Sequence, residues 1–198
     1  MQAAESVFFD KLADSWDETR EKNERKLREL IEVIGLCSGE SVLDVGSGTG
    51  VLLPYIRQFV GTYGKITAVD FSPNMLERAR AKYRHFGNIS FCVGDIMEMP
   101  VAELYDKVVC LNFFPHMKDK PGFLVQMRRH LKADGVLVIM HDISRAQVNG
   151  IHGKYKEVAE DRLPPATIVA AWLRQSGYAV GEVIDRDDRY FIKAMVTE

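Results

Sequence analysis

Five short apolar runs recur along the chain: SVLDVG (41–46), KITAVD (65–70), ISFCVG (89–94), KVVCLN (107–112) and GVLVIM (135–140). They are rich in β-branched residues and continuously apolar, which predicts strands covered on both faces, as in a parallel sheet. Helical spacing fills the intervals. In 72–86, Ser72 reads as an N-cap, Pro73 as the first helical position, and Met75, Leu76, Ala79 and Tyr83 share one face. In 120–135, Phe123, Leu124, Met127 and Leu131 form a stripe, with Lys132 near the helix end and Gly135 just beyond it. Leu27, Leu30, Ile31 and Ile34 mark the second of two N-terminal helices, ended by Gly35. Alternation at this rhythm predicts right-handed crossovers and a doubly wound, mostly parallel α/β sheet. The last segment, YAVGEVIDRDDRYFIKAMV (178–196), reads as an antiparallel hairpin that closes it.

The segment after 140 breaks the rhythm. More than twenty residues separate GVLVIM from PPATIVAAWL, and HDISRAQVNGIHG (141–153) carries His141 and His152. A long polar loop is expected over 141–165, with Gly150 and Gly153 as hinges and Pro164–Pro165 as its stop. Arg145, Asn149 and Arg162 are candidates for an anionic substrate, against the commoner reading as solvated surface.

The whole chain, 198 residues with 46% hydrophobic and 27% charged positions, suits one domain with a substantial core. A net charge of −2 without long single-sign blocks gives no support for a polyanionic partner such as DNA or RNA. Cys37, Cys92 and Cys110 are far apart and form no CxxC pair, which argues against a disulfide framework or a structural zinc site. The acidic start is unlike a signal peptide and no run is long enough to span a bilayer, so a cytoplasmic protein is expected.

The chemistry concentrates in LDVGSGTG (43–50), between the first buried strand and a helix expected to begin near Thr49. Gly46, Gly48 and Gly50 permit a tight turn and let a ligand approach bare backbone, with unpaired helix N–H groups facing the same space. A dinucleotide turn prefers G-x-G-x-x-G; here the third glycine comes one residue early and Val51 takes its place. Asp44 would repel a pyrophosphate and pair with an ammonium group. Asp70 ends the second strand, suitably placed to accept hydrogen bonds from ribose hydroxyls. GDIMEMP puts Asp95 and Ile96 after the third.

These features together resemble the class I S-adenosylmethionine-dependent methyltransferases. LDVGSGTG looks like their first motif, VDFSPNML their second, GDIMEMP their third, and DKVVCLNFFPHM the fourth strand and its loop. The opening FFDKLADSWDE is similar to the lid of the small-molecule branch that includes the quinone C-methyltransferases. The resemblance implies a Rossmann-like seven-stranded fold and S-adenosylmethionine as cofactor. It also implies site roles. Gly46, Ser47 and Gly48 would pass under the methionine moiety, and Asp44 would hold its amino group. Asp70 would take the ribose diol, Phe71, Met75 and Ile96 would pack on the adenine, and Asp95 would bond its amino group. Asn112 and Phe113 would line the sulfonium region, and Trp16 would close over the methionine end. Taken singly, such aspartates are usually caps or turn formers and such apolar residues usually core.

Ligands of open α/β sheets bind beyond the carboxyl ends of the strands. His116, His141 and His152 come after the fourth and fifth strands on that side, as candidate general bases, substrate contacts or metal ligands, against the ordinary reading as backbone-bonded loop histidines. His141 is favoured for a substrate or base role, since strand ends are rigid; the spacing matches no metal motif, so no metal is expected. His85 and His130 read as charge partners of helix C-termini.

The expectation is therefore one methyltransferase domain over 1–198: a helical lid (1–35), a cofactor core (36–140), a substrate-side insertion (141–165), and a final helix and hairpin (166–198). It would act on a small molecule, as monomer or homodimer. A nucleotide-dependent oxidoreductase is the rival, weakened by the glycine spacing and by Ala159 where a Tyr-x-x-x-Lys pair from Tyr155 needs lysine. NFFPH departs from the Asn/Asp-Pro-Pro-aromatic site of nucleic-acid and protein N-methyltransferases. Cys92 and Cys110 sit in expected core strands, which leaves metalloid methylation without ligands. A non-catalytic cofactor-binding module is the remaining alternative.

Overall fold

A computed structural model describes residues 3–19 and 23–197. Parts of the expected lid, residues 1–2 and 20–22, lie outside the described residues, as does residue 198. The chain forms two compact units, Met1–Pro100 and Val101–Glu198.

The first unit is a parallel three-stranded layer. β1 (Ser41–Val45) lies beside β2 (Lys65–Asp70), and β2 beside β3 (Ile89–Val93), in the register Asp44↔Ala68 and Asp70↔Val93. β1 and β2 are buried almost throughout, as their composition predicts. β3 is not: it is an edge strand, with Val93 exposed, so its apolar sequence does not mean cover on both faces. The helices are α1 (Ala3–Leu12), α2 (Trp16–Thr19), α3 (Glu24–Ile34), α4 (Leu53–Val60) and α5 (Pro73–Tyr83). α3 buries the predicted stripe and ends at Gly35 in the left-handed conformation. α5 starts as expected, with Ser72 Oγ accepting from Met75 N and Pro73 in its first turn.

The second unit pairs β4 (Tyr105–Leu111) with β5 (Leu131–His141) in parallel, β5 with β7 (Tyr190–Val196) antiparallel, and β7 with β6 (Tyr178–Asp185) antiparallel. The returning arm of the predicted hairpin thus lies against β5. It is the more apolar arm, which suits the covered position, while β6 stays largely exposed. α6 (Lys120–His130) and α8 (Ala166–Gln175) pack on this layer through buried Phe123, Leu124, Met127, Val169 and Leu173.

Three expectations about elements are corrected. α6 ends at His130, not near 135, because Leu131 turns extended and pairs with Tyr105. Gly135 is a packing position there: a Cβ on it would meet the Leu131 side chain at 2.9 Å. α4 begins at Leu53 rather than near Thr49, which leaves 46–52 as a turn of its own. The segment 141–165 is not loop throughout but contains α7 (Arg145–His152), started by a capping box of Ser144 and Gln147. Gly150 lies inside α7 and Gly153 caps it with ordinary right-handed dihedrals, so neither takes the conformation that makes glycine a hinge.

Candidate active site

In the first unit, β1 delivers the chain to a turn that folds back on β2. Gly46 N and Ser47 N both donate to Val69 O, and Gly50 N donates to Ser47 O. Gly46, Gly48 and Gly50 all have positive φ, which side-chain-bearing residues rarely adopt. Their surroundings divide the work. A Cβ on Gly48 would meet nothing within 4 Å, so this backbone faces open space. A Cβ on Gly50 would strike Leu53 Cδ1 at 2.7 Å and the Tyr83 ring at 3.0 Å, so this glycine serves the packing of the turn on α4 and α5.

Two acids stand at this turn. Asp70 is buried; its Oδ2 accepts from Gly48 N at 2.8 Å and its Oδ1 from Ser72 N at 2.9 Å, so one carboxylate joins the ends of the first two motifs. Asp44 lies on β1 itself, not in the loop, and is 1% exposed. Its Oδ2 has no hydrogen-bond partner among the described residues. Burial first, and then the charge of Asp70, pushes its pKa up to about 7. A buried orphan oxygen of this kind is a standing request for a cationic or donor group.

The other predicted cofactor residues of this unit are Ser47, Phe71, Met75, Asp95, Ile96 and, in α2, Trp16. Asp95 caps its own turn, Oδ1 accepting from Met97 N. Ile96 and Met75 are buried, and Ser47 is buried with its hydroxyl unpartnered among the described residues. Phe71 meets Phe9 of α1 edge-on at 5.8 Å, and Phe9 meets Trp16 of α2 at 5.8 Å, so Phe71 and Trp16 join one aromatic chain. The sequence reading missed the acids that hold these N-terminal helices. Asp17 accepts from Thr49 Oγ1 and from Lys82 Nζ, both at 2.7 Å, and Asp10 accepts from Ser72 Oγ at 2.5 Å. The signal was the acidic spacing in FFDKLADSWDE, which carries no indication of its partners.

In the second unit, Asn112 comes directly after β4 with φ 55°, the one non-glycine with positive φ among the described residues. Its Nδ2 donates to Asp142 Oδ1 at 2.8 Å, while its buried Oδ1 lacks a partner among the described residues. Such backbone strain persists where surrounding contacts enforce it, often at functional sites. Phe113 is buried and packs beside Phe123.

The three candidate histidines divide. His116 ends the short 3-10 turn Phe114–His116, and its Nδ1 is 2.8 Å from Oδ2 of buried Asp161. His152, in the last turn of α7, has Nδ1 2.6 Å from the Asp161 carbonyl oxygen, and the two rings lie 4.9 Å apart. Lys118 Nζ donates to Asp161 Oδ1 at 2.5 Å. Burial alone would raise the Asp161 carboxyl, but its bonds from His116 and Lys118 outweigh this and hold it below the usual carboxylate range. Burial lowers His152, against the raising effect of its bond to the Asp161 carbonyl. His141, 1% exposed at the end of β5, packs edge-on against Tyr190 at 5.8 Å. No group of three His, Cys, Asp or Glu among the described residues is arranged to hold a metal.

The polar candidates Arg145 and Asn149 have partners within the second unit. Arg145 Nε donates to Asp185 at 2.9 Å, and Asn149 bonds both backbone groups of Leu163, which ties α7 to the chain leading into α8. His130, expected as a charged helix-end partner, is buried at the end of α6, and burial and Arg129 lower its pKa, which disfavours that charge.

The seven strands form the mostly parallel α/β sheet with a C-terminal antiparallel hairpin expected from the pattern. This is the Rossmann-like architecture of S-adenosylmethionine-dependent methyltransferases. The N-methyltransferase NodS of Bradyrhizobium japonicum, solved with S-adenosyl-L-homocysteine, superimposes with a TM-score of 0.75 at 17% identity, over 98% of either chain. A family model described as a methyltransferase domain matches residues 36–176, and the chain belongs to that family. It is 30% identical over 169 residues to an O-methyltransferase of Penicillium expansum, covering 82% of this chain and 60% of that protein. It is 32% identical over 116 residues to a demethylmenaquinone methyltransferase of Staphylococcus aureus, covering 57% and 47%. The chain thus spans about half the length of these curated relatives. The resemblance seen in the motifs therefore holds at the level of the family: the chain carries a methyltransferase domain over residues 36–176. Among the described residues no helix is long and apolar enough to cross a membrane.

Proposed function

We propose that this chain transfers the methyl group of S-adenosylmethionine to a small hydroxylated aromatic or quinol-type acceptor. The observation that carries the reading is the pair Asp44 and Asp70 at a glycine turn whose Gly48 backbone faces open space. The residues fit the cofactor: a buried orphan oxygen suits an ammonium group, and a second carboxylate at a strand end suits a diol. When bound, the cofactor supplies a methyl group already activated on a sulfonium.

Asp44 binds the amino group and Asp70 the ribose hydroxyls. Gly46, Ser47 and Gly48 present backbone to the methionine moiety. Asp95 bonds the adenine amino group, with Ile96, Met75 and Phe71 around the ring. Trp16 with Phe9 excludes water from the methionine end, and Asn112 and Phe113 line the reacting end. Positioning and desolvation supply much of the rate, since the leaving group needs no protonation. Of the histidines, His116 has the best-supported base role, because a carboxylate holds its ring; His141 and His152 serve as acceptor-side contacts. Residues 1–198 act as one methyltransferase domain with the lid, core, insertion and hairpin divisions expected from the sequence. We place it in the cytoplasm, where Cys37, Cys92 and Cys110 stay reduced, as monomer or homodimer without nucleic acid.

The names of the two relatives support the acceptor class. Calorimetry with S-adenosylmethionine and with NAD tests the cofactor, and preferential NAD binding overturns the reading. Incubation with methyl-labelled S-adenosylmethionine and 1,4-dihydroxynaphthalene tests the acceptor: label in a C- or O-methylated product is expected, and none, across hydroxylated aromatics, overturns that class.

A further inference from the structure

We propose that Asp10 and Asp17, on the N-terminal helices, are positioning residues that set cofactor affinity by clamping the two backbone segments bonded to Asp70. This rests on the methyltransferase reading and deepens it. Asp70 accepts one N–H from each of two segments: Gly48 N on Oδ2 at 2.8 Å and Ser72 N on Oδ1 at 2.9 Å. Each segment carries a hydroxyl at or beside that donor, and each hydroxyl is bonded from the N-terminal helices. Thr49 Oγ1, one residue past Gly48, donates to Asp17 Oδ1 at 2.7 Å. Ser72 Oγ donates to Asp10 Oδ1 at 2.5 Å. The two outer carboxylates thus hold from one side what Asp70 holds from the other, all within the first unit.

Burial decides which of the contacts matter. Thr49 is 2% exposed and Ser72 0%, and a hydroxyl so buried loses its hydration without return if its acceptor leaves. Ser72 Oγ already accepts from Met75 N, so Asp10 is the group that takes its proton. The ion pairs alongside are weaker anchors. Asp14, which pairs with Arg78, is 83% exposed, and the Lys82 and Asp17 side chains are 32% and 33% exposed; pairs this wet contribute little. The bond from Asp17 to Thr49 therefore carries more than the bond from Asp17 to Lys82. Between the two acids Ala13 is 1% exposed, so the chain joining them is itself packed down. A glycine turn has wide conformational freedom, and its binding geometry has to be imposed by its neighbours. With Asp10 and Asp17 in place the turn is ordered before the cofactor arrives, which lowers the cost of binding. Such coupling is reciprocal: cofactor must hold the N-terminal helices down by the same factor.

The test is a double-mutant cycle on the Kd for S-adenosylmethionine, measured by calorimetry on the full chain. Asp17→Ala, Thr49→Val and Asp10→Ala should each weaken binding about tenfold. Asp17→Ala and Thr49→Val together should weaken it no more than either alone, because the first acts through the second. Asp17→Asn keeps an oxygen that accepts from Thr49, and Lys82→Met leaves that bond intact; both should stay within about threefold of the wild type. Unchanged affinity in Asp17→Ala or Asp10→Ala, or additive losses in the cycle, overturns the proposal. Where a variant fails to fold, amide hydrogen exchange of the wild type decides. S-adenosylmethionine should slow exchange across Ala3–Leu12 and Trp16–Thr19, and exchange there that ignores the cofactor overturns the proposal. A wild type that binds no S-adenosylmethionine sinks the functional reading and the clamp with it, whereas a wild type that binds it no better than Asp17→Ala sinks the clamp alone.

Discussion

Asp44→Asn isolates the electrostatic cost built into the cofactor turn. Asp44 has an ordinary value of 3.8 and is raised to about 7 by burial and by Asp70. A carboxyl raised on folding binds its proton more tightly in the folded chain than in the unfolded one. That contribution to stability is complete below about pH 4 and is lost as pH rises to about 7. Above it, the ligand-free fold carries the whole cost of a buried charge beside Asp70. The shift amounts to roughly 4 kcal/mol, taken as an upper figure because relaxation and water reduce it. Asparagine keeps the shape and removes the titration. The variant should therefore gain on the wild type as pH rises, by up to that amount between about pH 4 and 8. For a domain of this size that is on the order of 10 °C in Tm. Urea or thermal unfolding of both proteins across that range, without ligand, measures it. Parallel stability curves would refute the reasoning. The same variant should bind S-adenosylmethionine more weakly, since the ammonium group loses its anion, so stability and affinity should move in opposite directions above neutral pH.

Other substitutions test the turn and the insertion separately. Asp70→Ala should weaken cofactor affinity by about 1.5–3 kcal/mol for each charged hydrogen bond lost, read by calorimetry; unchanged affinity removes the ribose role. Gly50→Ala should destabilise the chain by about 1–3 kcal/mol, through its positive φ and the clash with Leu53 and Tyr83. Gly48→Ala, with open space around it, should cost less in stability and more in cofactor affinity, as denaturation and calorimetry together would show. Ser144→Ala should cost about 1 kcal/mol by removing the capping box of α7, and hydrogen exchange should rise first within Arg145–His152.

Much of this molecule is legible without coordinates because its signals are local. A continuous β-branched run favours a strand through its own local preference, and five such runs located β1 to β5 to within a few residues. Ser72 and Pro73 start α5, and Gly35 ends α3, through bonds that span one turn. The cofactor turn is legible for the same reason: left-handed backbone demands glycine, and the glycine spacing separates this turn from a dinucleotide one.

Tertiary structure decided what depends on partners distant in sequence. Leu131 has the spacing of a helical residue, but pairing with Tyr105 makes it a strand. The apolar run of β3 gave no sign that it sits at an edge. Asp161 is one of three acids in GKYKEVAEDRLPP; only folding brings it to His116, 45 positions away, and only burial makes that contact costly to break. Asp17 likewise looks like surface charge until Thr49 and Lys82 arrive. Periodicity and capping are written in neighbouring residues, whereas the energy of a charge is set by its solvent and its counter-charges, and those exist only once the chain has closed around it.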